Sequence, residues 1–101
     1  MAKQLTQYIT LLGEKLILKH GFYSNNRTAY QLISEYGEPF MKLTVNIPEE
    51  KLEPGEFFVK TWAENEPYIA AILGSGIFTD TGKRVQCGDF GCMAAVWRLA
   101  K

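Results

Sequence analysis

One histidine, two cysteines and a run of glutamates are the side chains through which this sequence could do chemistry. As a general base, His20 would need a nucleophile and an orienting carboxylate within reach. It alternates with Leu16, Leu18 and Phe22 on one strand face, so it reads as a partly buried structural histidine. Cys87 and Cys92 are two thiolates at most, and with His20 they fall short of the four ligands of a structural zinc site. If Gly88-Asp89-Phe90-Gly91 is a hairpin turn, the two thiols face each other across the strands. A disulfide fits that geometry; a reducing cytosol favours two free thiols acting as small apolar packers. Asp89-Phe90-Gly91 lacks the glycine-rich loop, strand lysine and catalytic loop that would give it a kinase role. The glycines spell neither GxGxxG nor GxxxxGK[ST], and no carboxylate pair is placed for hydrolysis. The expectation is a protein that is not an enzyme and carries no metal or cofactor.

Charge offers recognition instead. Residues 49–66 hold Glu49, Glu50, Glu53, Glu56, Glu64 and Glu66 against Lys51 and Lys60, a net charge of −4, which leaves +4 on the remainder. Such a run is either a solvated loop or an acidic edge that docks on a basic partner. Trp62 sits within it, in a loop, and is the type of stiff aromatic that anchors interfaces. Phe57 and Phe58 are adjacent in a strand, so one must face away from the other. The other candidate set is cationic: Arg27, Lys83 and Arg84 as phosphate contacts for a small ligand or nucleotide.

These side chains need elements to position them. Leu5, Tyr8, Ile9 and Leu12 fall at helical spacing over residues 3–12 with Gly13 as a C-cap, while β-branched Thr6, Ile9 and Thr10 leave a strand as the alternative. From Glu14 the period becomes two, and Asn25-Asn26 turns the chain into a second strand, Thr28 to Ser34. Met41, Leu43, Val45 and Ile47 alternate with Lys42, Thr44 and Asn46, which predicts a strand with one buried and one wet face. Phe57 to Thr61 is a short strand, and Asn65-Glu66-Pro67 opens a helix with Tyr68, Ile69, Ile72 and Leu73 as its apolar face. Lys83 to Cys87 and Cys92 to Leu99 form a closing hairpin. The fold class is α+β: a mostly antiparallel sheet of five to six strands with one or two helices packed on one face.

The chain has 101 residues, 47% of them hydrophobic, which suits a single compact domain over 1–101. Eleven basic residues balance eleven acidic ones, so no overall field draws nucleic acid or an anionic membrane. The expectation is no direct nucleic-acid partner and no membrane. The N-terminus shows no export signal and the longest apolar run, Tyr68 to Leu73, is far too short to span a bilayer, so a cytoplasmic location is expected.

Leu43-Thr44-Val45-Asn46-Ile47-Pro48, then Phe57-Phe58-Val59, Pro67, Thr81-Gly82 and Gly91-Cys92, form an order of short motifs. Over about residues 28–99 it resembles the domain of unknown function 4313 family, small proteins of phages and mobile elements of gut bacteria. The resemblance supplies no catalytic residues. It implies an accessory protein in the host bacterial cytoplasm, a setting in which small inhibitors of host defence are common. The expected function is therefore protein–protein binding, as an anti-CRISPR-like inhibitor of a host protein such as a nucleic-acid-binding defence effector. The alternative is the small-ligand or nucleotide-sequestering module built on Arg27, Lys83 and Arg84.

Overall fold

The computed structural model describes residues 7–87 and 91–100. Residues 7–13 do not continue a helix. They form β1 (Gln7–Leu11) and a tight turn into β2 (Glu14–Phe22), with Leu11 paired to Glu14. Leu12 and Gly13 both take positive φ, 52° and 76°, as a two-residue hairpin turn of the type I′ kind requires. Helical spacing put Tyr8 beside Ile9 on one face. In the strand they part, and Ile9 and Leu11 are buried while Tyr8 is exposed. The rest of the expected helix, residues 3–6, lies outside the described residues, as does Gly88-Asp89-Phe90 of the expected closing turn.

β2 pairs with β3 (Thr28–Ser34), and β3 with β4 (Pro39–Lys42), giving an antiparallel sheet in the order β1-β2-β3-β4. A second antiparallel sheet contains β5 (Thr44–Val45), β6 (Glu56–Val59), β8 (Cys92–Leu99) and β7 (Phe78–Cys87), in that order. Among the described residues, eight strands in two sheets thus replace the single sheet of five to six. Their strands are antiparallel, as the patterning predicts.

The two sheets are joined at Leu43, inside what the alternation presents as one strand. Leu43 donates its N–H to Tyr30 O in the first sheet, and its carbonyl accepts from Lys60 N beside the second. Thr44 is 3% exposed, and its Oγ1 accepts the N–H of Tyr30 at 3.1 Å. A side-chain hydroxyl thereby satisfies a ladder donor just where the strand leaves its sheet. The two halves consequently serve different cores. Met41 and Leu43 join the main cluster, whereas Ile47, with Val45 against it, belongs to another. Thr44 is accordingly buried and not on a wet face.

The main core lies between the sheets. Leu16, Leu18 and Leu32 from the first and Leu43 at the junction meet Phe57, Val59, Phe78 and Trp97 from the second, with Ile72 of α1 (Ile69–Gly74). Burying each such side chain contributes about 1.5–3 kcal/mol. β6 and β8 are central strands covered on both faces. Phe57 and Phe58 are therefore each only 1% exposed, on opposite sides. The second cluster, Ile47, Phe58, Ala94 and Val96, occupies the outer face of that sheet.

The helical segment begins as a 3-10 helix, Ala63–Tyr68, with Pro67 inside it. Asn65 does not cap it. It is fully buried, and its Nδ2 donates to Lys42 O at 2.7 Å and Lys60 O at 3.0 Å, across the junction between the sheets. β7 starts at Phe78, earlier than its polar sequence suggests, and a bulge between Asp80 and Arg84 breaks its register with β8. Gly82 supplies the positive φ of 88° there, and Thr81 Oγ1 donates to Val96 O.

Candidate functional site

The outer face of the second sheet is only partly covered. Over Ile47, Phe58, Ala94 and Val96 lie Val45, Leu52, Trp62, Val85 and Cys87, all half-buried. Two acidic segments supply the cover. The loop that follows Ile47 delivers Leu52, and the turn after β6 delivers Trp62. Leu52 is the one aliphatic side chain within residues 49–56, and that isolation was the sequence signal for a residue the acidic pattern alone passed over.

Trp62 is extended, with φ −118° and ψ 177°, at the start of the 3-10 helix. Neighbouring Thr61 donates its hydroxyl to Met93 O, which ties this turn to β8. Met93 itself is 44% exposed and has the parity of Ala95 and Trp97, on the other face of β8 from Ala94 and Val96. Trp62 is thus half inserted in the protein, with the rest of its ring surface facing solvent.

The six glutamates divide by environment. Glu49, Glu50, Glu53 and Glu66 are exposed. Glu64 pairs with Lys60 at 2.8 Å, and that hydrogen bond holds its carboxyl below the ordinary value. Glu56 is different. Its side chain is 8% exposed, pairs with Lys83 at 2.7 Å and accepts the Glu53 N–H at 2.9 Å. Burial alone would raise its pKa, but the Lys83 ammonium and the Glu53 amide outweigh it, and the net direction is down. Glu56 braces the loop; the exposed carboxylates are the ones that can meet a partner.

Arg27 also braces this loop. Its guanidinium donates to the carbonyls of Ile47 (2.6 Å) and Glu50 and sits 5.8 Å from the Phe58 ring centre. Arg84 pairs with Asp80 through both terminal nitrogens, at 3.0 and 2.8 Å, and Lys83 with Glu56. Each of the three candidate phosphate contacts therefore has a partner within the chain. Those pairs hold the 47–56 loop and the β7 bulge in place.

His20 is exposed, a correction to the partly buried position expected of it. It has the parity of Leu16 and Leu18, yet it stands outside the core cluster that its register partner Tyr30 joins. Its ring stacks on Tyr30, 4.9 Å between centres and 22° between planes, and meets Phe22 at 5.0 Å. Cys87 and Cys92 are paired in register on β7 and β8, both half-buried and free. Among the described residues no group of three or more His, Cys, Asp or Glu side chains is placed to hold a metal ion, and no helix is long and apolar enough to cross a membrane.

No protein-family model, curated protein or solved structure matches the chain. The fold and this surface define a small α+β domain of two antiparallel sheets, one of which presents an incompletely covered apolar face bordered by carboxylates.

Proposed function

We propose that the protein works by protein–protein binding, and that it docks a basic partner on the outer face of the second sheet. The carrying observation is the half-buried set Val45, Leu52, Trp62 and Val85 over a packed apolar cluster, on segments that also bear Glu49, Glu50, Glu53 and Glu66. An apolar centre with a polar rim is the anatomy of a recognition surface, and the sign of the rim selects a cationic partner. Together with the resemblance to proteins of phages and mobile elements, this favours a host defence protein whose nucleic-acid-binding surface the domain would block.

Two variants test the reading on the host protein that immobilised wild type retains. Reversing Glu49, Glu50 and Glu53 to lysine lowers the on-rate and flattens its salt dependence, because steering acts over a Debye length of about 8–10 Å. Trp62→Ala raises the off-rate by about 30-fold, the equivalent of the roughly 2 kcal/mol a buried aromatic anchor carries. The retained protein's own oligonucleotide binding should be competed by wild type and not by either variant. Unchanged kinetics in both, with melting curves showing both folded, would move the binding face elsewhere.

A further inference from the structure

We propose that the opposite side of the molecule, the outer face of the first sheet, binds single-stranded nucleic acid. The strand registers place its side chains in rows. Tyr8, Ile17, Ile33 and Pro39 form one row across all four strands; Lys19, Gln31 and Lys42 form the next across three; Gly21 and Ala29 form the one beyond. Lys15 pairs with Thr10 at the other end and holds its ammonium 4.2 Å from the centre of the Tyr8 ring.

None of these rows contains a carboxylate. Lys19 and Lys42 are exposed and make no ion pair among the described residues. The nearest carboxylates along these strands, Glu14, Glu35 and Glu38, lie at the far end, next to Lys15, beyond Ile33 and next to Pro39. The neutrality of the whole chain, which argues against a nucleic-acid partner, is an average over an acidic side and this basic one.

A recess of about 220 Å³ lies beside the lysines, lined by Lys19, Gly21, Tyr23, Ala29, Gln31 and Lys42 among others. Gly21 and Ala29 face each other in register, so that row carries nothing larger than a methyl group. Tyr23 is fixed as a wall, its hydroxyl 3.0 Å from Thr44 Oγ1. The volume is below the roughly 300–1,000 Å³ of sites that enclose a drug-sized ligand, so it suits one flat group of a longer molecule. Tyr8, 46% exposed, offers a second flat surface along the face.

The cations form a band and do not converge on one point. Lys19 and Lys42 stand on strands two spacings apart, about 10 Å, with Lys15 further along. A band of cations beside aromatic and open flat surfaces is how proteins follow a single strand: phosphates on the lysines, bases on the rings.

The test is fluorescence anisotropy with a labelled single-stranded oligothymidylate at about 50 and 200 mM salt. Each neutralised phosphate contributes about −0.7 to the slope of log affinity against log salt, so three lysines give a slope near −2 and about a 20-fold loss over that range. Lys19→Ala with Lys42→Ala should bind more weakly and lose only about threefold over the same range. Tyr8→Ala should weaken binding by about fivefold or more and leave the salt slope intact, since stacking is not ionic. Melting curves establish that these surface variants fold. Absence of binding at about 50 mM salt would overturn the proposal, as would a salt slope that the double lysine variant leaves unchanged. Equal affinity for a duplex of the same length would overturn its single-strand element. Lysine-dependent binding to phosphatidylserine vesicles, with none to the oligonucleotide, would replace it with an anionic lipid surface.

Discussion

Asn65 shows how much of this fold rests on single polar side chains at the junction of the sheets. One amide donates to Lys42 O, at the end of β4 in the first sheet, and to Lys60 O, just past β6 of the second, in a site closed to solvent. Each net hydrogen bond is worth about 0.5–1.5 kcal/mol, and a buried carbonyl left alone costs more. Asn65→Ala should therefore destabilise the protein by about 2–3 kcal/mol in denaturant unfolding. Its Oδ1 has no hydrogen-bond partner among the described residues, so removing that atom offsets part of the loss. A cost below about 1 kcal/mol would mean that the junction is held by packing alone. Thr44 plays the matching part from the other side, accepting from Tyr30 N and meeting Tyr23 Oη. An aspartate at position 44 would add a charge to a site 3% exposed, and so would not be the innocuous change a wet strand face would allow.

Among the elements, the β1–β2 hairpin carries an avoidable cost. Leu12 sits at φ 52° with its side chain 84% exposed, and leucine gains nothing there to offset a left-handed backbone. The turn geometry prefers Asn-Gly, and Gly13 is already in place. Leu12→Asn should raise stability by about 0.5–1 kcal/mol, seen as a rise in Tm of a few degrees for a domain of this size. No rise, with the hairpin intact, would show that the strand pairing and not the turn sets the backbone there. The bulge in β7 is the contrasting case: Gly82, Asp80, Thr81 and Arg84 all match the conformation they adopt.

At the scale of the molecule, three ion pairs among the described residues lower their carboxylates: Glu56 through Lys83, Glu64 through Lys60 and Asp80 through Arg84. A carboxyl whose folded pKa lies below its unfolded value adds stability above the unfolded value, and that contribution disappears as pH falls through the folded one. Glu56 and Asp80 start from 4.5 and 3.8, so the loss begins near pH 4.5 and continues below 3.8. Glu56→Gln should be less stable than wild type at neutral pH, with the gap between their melting temperatures closing as pH drops through that window. A gap independent of pH would assign the effect to packing of the loop and not to charge.

Alternation was enough to find β2, β3 and β8, and the short apolar run Phe57-Phe58-Val59 to find β6, because a period of two, a short run and turn residues such as Asn26 are local properties of the chain. The α+β class and the antiparallel pairing follow from the same patterning and short connections. Local pattern could not reveal that Met41 to Ile47 is two strands. Both halves keep the alternation, and only the sheets that receive them decide where Leu43 hands one to the other. Residues 7–11 satisfied helix and strand templates alike, and pairing with β2 decided between them. Asn65 fitted a helix cap by type, yet the carbonyls of Lys42 and Lys60 claim it from elsewhere in the chain. The acidic segment was visible as composition. That Glu56 is bound to Lys83, that Trp62 and Leu52 share an apolar face, and that Lys15, Lys19 and Lys42 share the opposite side are results of register and packing. Charge sums along a sequence; recognition depends on which side of a sheet each charge occupies, and that is set only when the strands pair.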